Sequence, residues 1–103
     1  MSDELIYQAI LDARREGRPA ALATVIRSRG SVPRHETSKM LVFADGQMMG
    51  TVGGGERESH TIKAGQEVIQ SGQARLESYS LAGPTEDAVG VCGGEVEVFV
   101  EPI

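Results

Sequence analysis

Cys92, the only cysteine in 103 residues, stands between Val91 and Gly93-Gly94. A thiol flanked by glycines stays approachable and sits among bare backbone N–H groups. Beside cationic charge its pKa falls, which opens thiolate chemistry or ligation of a soft metal. A buried, inert sulfur is the alternative reading. A second stretch, Gly50-Thr51-Val52-Gly53-Gly54-Gly55-Glu56-Arg57-Glu58, holds three consecutive glycines. Alanine would cost less backbone entropy at any of them, so the chain needs positive φ, a ligand against the bare backbone, or a tight, closely packed turn. The third stretch is Arg29-Gly30-Ser31-Val32-Pro33-Arg34-His35. With Arg27 and Lys39 it forms a basic island that contains one acid, Glu36, in a chain of net charge −5. Such an island is an anion clamp or a solvated loop.

The order strand, glycines, helix around Gly53–Gly55 is the local order that cradles anions, because free N–H groups and the positive end of the helix dipole point outward. There is no Gly-Lys-Ser/Thr and no Gly-x-Gly-x-x-Gly, so neither nucleotide fingerprint applies. Glu56 and Glu58 fall on the first helical turn, where they would repel a phosphate placed directly on the dipole. For Glu58 two roles stay open: capping backbone N–H groups, or accepting from N–H donors of a ligand. His35 and His60 lack a second cysteine or a His-x-x-x-His spacing, which argues against structural zinc. A Cys–His nucleophilic pair with either is open, although a lone histidine is by default a surface residue.

These stretches must be positioned by a small set of elements. Residues 2–16 read as a helix, with Leu5, Ile6, Ala9, Ile10 and Ala13 as one buried stripe and Gly17 as its stop. Ala20 to Ser28 is a strand whose near-continuous apolar run suggests burial on both faces. Lys39–Ala44 and Gln47–Val52 read as a hairpin closed by a two-residue Asp45-Gly46 turn. Glu56–Ser71 is a helix with Ile62, Gly65, Val68 and Ile69 near one face and Gly72 as its stop. Gln73–Leu81 is a partly polar strand. Glu95–Glu101 is half-buried, with Val96, Val98 and Val100 on its inner face. The order predicts an α+β fold: a mixed, largely antiparallel sheet with two helices on one side, in a single compact domain.

Length and composition limit the function. Hydrophobic residues make up 40% and charged residues 24%, as in an ordinary globular domain. Net negative charge and only four aromatics argue against nucleic acid, whose backbone needs cations and whose bases need stacking platforms. One cysteine leaves the fold independent of internal disulfides, and no apolar run is long enough to span a bilayer. A cytoplasmic protein without a signal peptide or membrane insertion is expected.

Gly30-Ser31-Val32-Pro33-Arg34, then Gly50-Thr51-Val52-Gly53-Gly54-Gly55 with Glu58, then Cys92-Gly93-Gly94 occur in that order. With Met40, Asp45-Gly46 and the ending Val-Phe-Val-Glu-Pro-Ile, the chain from Ala20 to Ile103 resembles the N-terminal domain of the XdhC/CoxI family. These are accessory proteins for maturation of xanthine and carbon monoxide dehydrogenases. The resemblance implies a domain spanning 1–103, without the Rossmann-like second domain of longer members. It implies the molybdenum cofactor (molybdopterin) bound as cargo, protected, assisted in sulfuration and delivered to a molybdenum hydroxylase of the xanthine or carbon monoxide dehydrogenase type. A cysteine desulfurase and self-association into a homo-oligomer are the further partners it suggests.

The cofactor-binding residues on this reading are Ser31, Arg34, Gly53, Gly54, Gly55, Glu58, Cys92, Gly93 and Gly94. Arg34 and the glycine amides suit a phosphate, Glu58 suits pterin N–H donors, and Cys92 suits the molybdenum–dithiolene end. No residue is assigned a catalytic role unless Cys92 has one. Many members carry a cysteine directly after the triple glycine, where this chain has Glu56. Two other classes remain: a small enzyme using Cys92 on a phosphorylated or pterin-like metabolite, and a dimerisation or interaction module.

Overall fold

The computed structural model describes residues 3–29, 38–52, 56–80 and 95–103. The elements are α1 (Asp3–Glu16), β1 (Ala20–Arg29), β2 (Lys39–Phe43), β3 (Met48–Gly50), α2 (Glu56–Ser71), β4 (Arg75–Ser80) and β5 (Glu95–Pro102). Asp3 and Glu4 occupy the first turn of α1 and Arg14 and Arg15 its last, each complementing the helix dipole. Both helices stop at the expected glycines, Gly17 and Gly72, at φ of 69° and 74°.

The five strands form one sheet in the order β3-β2-β1-β5-β4, and each described pairing is antiparallel. The α+β class stands, yet the helices do not share a side. Ala64 and Val68 of α2 join Ala21, Ala23, Val25, Met40, Val42, Val96, Val98 and Val100 in one core. Ile6 and Ala13 of α1 join Ala20, Leu22, Leu41 and Phe43 in a second. Residues alternate between these cores along β1 and β2, so the cores lie on opposite faces. The apolar run of β1 already demanded this, because a strand buried on both faces needs a cover on each.

Two local expectations are corrected. Leu5 is more than half exposed, whereas Ile6 and Ala13 are buried and Ala9 and Ile10 partly so. α1 rests near the β3 edge, and Leu5 turns into an open hollow of about 440 Å³ that Ala9, Met48 and Met49 also line. The β2–β3 loop has three residues, Ala44-Asp45-Gly46. Phe43 N–H donates to Gln47 O at 2.8 Å, and Gly46 N–H to Phe43 O at 2.9 Å. Gly46 takes φ of 92°, the left-handed position of a three-residue hairpin, while Asp45 Oδ1 accepts from Gln47 N–H at 2.9 Å.

The buried face of α2 centres on Thr61, Ala64, Gly65 and Val68, flanked by half-buried Ile62 and Ile69. Gly65 lets the helix approach the sheet: a Cβ there would meet Val42 Cβ at 2.9 Å. On β5 the inner face is Val96, Val98 and Val100, as its alternation predicts.

Candidate functional site

The flanks of the basic stretch and of the Cys92 stretch meet at one end of the sheet, whereas Gly50 pairs with Met40, opposite Ala23, six residues before Arg29. Arg29, the last residue of β1, pairs with Glu95, the first of β5, and Glu95 pairs with Ser80, the last of β4. Three neighbouring strand ends at the usual spacing span about 10 Å. The segments beginning at Gly30 and Leu81 and ending at Gly94 are therefore rooted side by side. The first turns of α2 reach the same end, because Thr61 Oγ1 lies 3.2 Å from the Tyr79 hydroxyl, one residue before Ser80.

Of the residues expected to bind cofactor, Glu58 is the one the structure describes. Ser31, Arg34, Gly53, Gly54, Gly55, Cys92, Gly93 and Gly94 lie outside the described residues, as does His35. Glu58 Oε2 accepts a hydrogen bond from Thr51 Oγ1, so the carboxylate ties the first turn of α2 to the end of β3 across the triple glycine. The donor is a side-chain hydroxyl and no backbone N–H, so this bond is a strap across the loop root, distinct from both helix capping and ligand contact.

Gly50, which opens that motif, has a local cause. It takes φ of 84°, and a Cβ there would run into the carbonyl of Lys39. Thr51 N–H donates to the same carbonyl at 3.2 Å. The positive φ turns the chain out of β3 while holding it against β2, and only glycine does this without strain.

The basic island is partly compensated. A register shift between Val25 and Arg27 passes over Ile26 and sets Arg27 opposite Glu97. Their side chains form an ion pair at 3.6 Å. Lys39 Nζ lies 3.6 Å from Asp3 Oδ2 and 5.8 Å from the centre of the Tyr7 ring. These two cations face acids and rings elsewhere in the fold, which weakens their part in an anion clamp.

Sequence reasoning passed over Arg57, Thr61 and Tyr79. Arg57 is half-buried in the first turn of α2, and its carbonyl accepts from Thr61 Oγ1 at 2.7 Å. Thr61 is fully buried, and its one hydroxyl proton is used in that bond. The Tyr79 hydroxyl is thus the donor to Thr61 Oγ1. Burial pushes the Tyr79 phenol above its usual pKa, so it remains protonated and able to donate. His60 is exposed beside it, with ring centroids 6.0 Å apart and planes inclined by 36°. The available signal was the spacing Arg57, Thr61, Ala64, Val68, which marks the sheet-facing side of α2.

The hollow beside β3 belongs to the opposite end. Its lining includes Leu5, Asp12, Arg18, Phe43 and Met48. Arg18 stacks on Phe43 at 3.6 Å and donates to Gln47 Oε1 at 2.8 Å. Phe43 pairs with Ala20, nine residues along β1 from Arg29, a separation of about 30 Å. No helix among the described residues is long and apolar enough to cross a membrane.

Comparison with known proteins adds a family. The model of the XdhC and CoxI family matches residues 13–80. The chain is 43% identical over 83 residues to YqeB of Escherichia coli K12, an uncharacterised protein, covering 80% of this chain and 15% of that one. It is 32% identical over 98 residues to PaoD of the same organism, a molybdenum cofactor insertion chaperone, covering 95% of this chain and 31% of that one. A crystal structure of a xanthine dehydrogenase from Bacillus halodurans matches with a TM-score of 0.77 at 30% identity. That match covers 99% of this chain and 30% of the other. The chain thus spans less than a third of the length of each of these proteins.

Proposed function

The chain belongs to the XdhC and CoxI family, and from that premise we propose that it is a maturation factor for molybdenum hydroxylases that binds the molybdenum cofactor as cargo. It protects the cofactor, assists its sulfuration and delivers it to a hydroxylase of the xanthine or carbon monoxide dehydrogenase type. On this reading residues 1–103 are the family's N-terminal domain, acting in the cytoplasm as a homo-oligomer, with a cysteine desulfurase as a further partner. The observation that carries it is the side-by-side pairing of Arg29, Glu95 and Ser80. That pairing roots the Arg34 and Cys92 segments on adjacent strands. The chaperone role in the name of PaoD supports the same reading.

The proposed division of labour follows the chemistry. Ser31, Arg34 and the amides of Gly53, Gly54 and Gly55 take the phosphate, through charge-assisted and backbone hydrogen bonds. Glu58, held by Thr51, accepts from pterin N–H groups. Cys92, kept reachable by Gly93 and Gly94, places a soft sulfur beside the molybdenum end.

The test is an anaerobic titration with molybdenum cofactor of wild type, Arg34→Ala and Cys92→Ala. Wild type should saturate, and loss of the charged contact in Arg34→Ala should weaken binding about tenfold or more. Cys92→Ala should weaken binding as well. Equal affinity in all three proteins removes the site assignment, and absence of saturable binding removes the function.

A further inference from the structure

We infer that His60 and Tyr79 form a side wall of this cofactor site and take the flat heterocyclic ring of the cargo, an inference that rests on the proposed function. The chain has four aromatics, and three of them are placed elsewhere. Tyr7 stands on α1, and Phe43 lies in the core under α1. Phe99 alternates with the α2-facing Val98 and Val100, so it faces away from α2. Tyr79 alone packs against the core under α2. It pairs with Val96, the second residue of β5, and so stands beside the entry of the Cys92 segment. His60 follows Gly55 by five residues on the adjoining flank of α2.

The two rings have complementary duties. Tyr79 is half-buried and fixed at its hydroxyl by Thr61, whose own proton is spent on the Arg57 carbonyl. It therefore backs the imidazole as a rigid surface. At 6.0 Å between centroids the pair leaves no room for a third ring in between. The exposed imidazole offers a flat face for stacking and ring nitrogens that can pair with a polar edge. A fused, polar-edged heterocycle such as a pterin needs both at once.

The experiment uses the full chain and two ligands: free pterin, followed by its own fluorescence, and the molybdenum cofactor under anaerobic conditions. Wild type should bind pterin saturably. His60→Ala, a change at an exposed position, should weaken it about tenfold, the size of one stacked-ring contact. His60→Phe, which keeps a flat face but loses the ring nitrogens, should recover only part of the lost affinity, whereas Tyr79→Phe, which keeps the ring, should stay within about threefold of wild type. Equal pterin affinity in wild type and His60→Ala overturns the wall, and so does a wild type that binds no pterin. Cofactor binding by wild type that His60→Ala leaves unchanged removes only the wall. Failure of wild type to bind cofactor at all removes the proposed function.

Discussion

Thr51 and Glu58 are joined by a hydrogen bond from the threonine hydroxyl to the carboxylate, bridging the two ends of the triple glycine. The glycines are thus flanked by a fixed strap, and any bare backbone they offer is anchored at both ends. Hydrogen bonds to a charged acceptor contribute more than neutral ones, and this one is partly buried. Glu58→Ala should therefore lower stability by about 1–3 kcal/mol, read as a drop in urea midpoint at constant m-value. Thr51→Val should cost a similar amount. An unmoved midpoint in Glu58→Ala would mean that the carboxylate serves a ligand alone.

Gly50→Ala should be more damaging than its surface neighbourhood suggests. The residue combines φ of 84° with a Cβ position blocked by the Lys39 carbonyl. Backbone cannot swing aside as a flexible side chain can, so the expected loss is at least about 2 kcal/mol. Gly17→Ala provides the contrast, since φ there is 69° but nothing lies within 4 Å of a Cβ. It should cost only about 1 kcal/mol. Thermal unfolding of the two variants, side by side, separates strain from collision; equal losses would sink the steric argument.

Much of this fold was legible because the periodicities were strong. The two helices, the five strands and the inner valines of β5 follow from spacing and from glycine stops. The sidedness of the helices is legible in the doubly apolar run of β1, whereas the order of the elements alone suits a one-sided arrangement equally well. The hairpin loop is one residue longer than its dipeptide suggests, because Asp45-Gly46 suits both a two-residue turn and the last two positions of a three-residue one. The pairing of Thr61 with Tyr79 leaves no such mark in the sequence. A polar residue on a helix face reads as solvent-facing until a partner from a distant strand is known, and that partner lies 18 residues away. Of the proposed site itself, sequence motif and family carry the residue assignments, while the strand register carries their common root.

Tyr79 makes a pH prediction. Burial raises its pKa in the folded protein above the ordinary value of 10.0, so the folded state holds the proton more tightly than the unfolded chain. The unfolded state then binds fewer protons above that value, and stability falls as pH rises. The contribution is fully present below about pH 10 and declines through the folded-state pKa. Tyr79→Phe should cost about 1 kcal/mol at neutral pH through the lost Thr61 bond. It should also flatten the decline above pH 10. Denaturant midpoints measured from pH 8 to 11 test this; parallel curves for the two proteins would exclude Tyr79 as the titrating group.

Gly65 and Val42 set how closely α2 approaches the sheet. A Cβ on residue 65 would lie 2.9, 3.0 and 3.2 Å from Val42 Cβ, Cγ1 and Cγ2. Alanine gains about 1 kcal/mol of helix propensity over glycine, but overpacking of a filled core costs about 1–3 kcal/mol. Collision should win in the native background, leaving Gly65→Ala about 1–2 kcal/mol less stable. Val42→Ala alone removes two buried methyls at full burial and should cost about 2–3 kcal/mol. In the double variant the γ-methyls are gone, only the Cβ contact remains, and a shift of a few tenths of an ångström relieves it. The propensity gain then survives, so the combined loss should fall short of the sum by at least about 1 kcal/mol. Additivity to within about 0.5 kcal/mol would show that the two positions do not press on each other, and that Gly65 is there for some reason other than closeness.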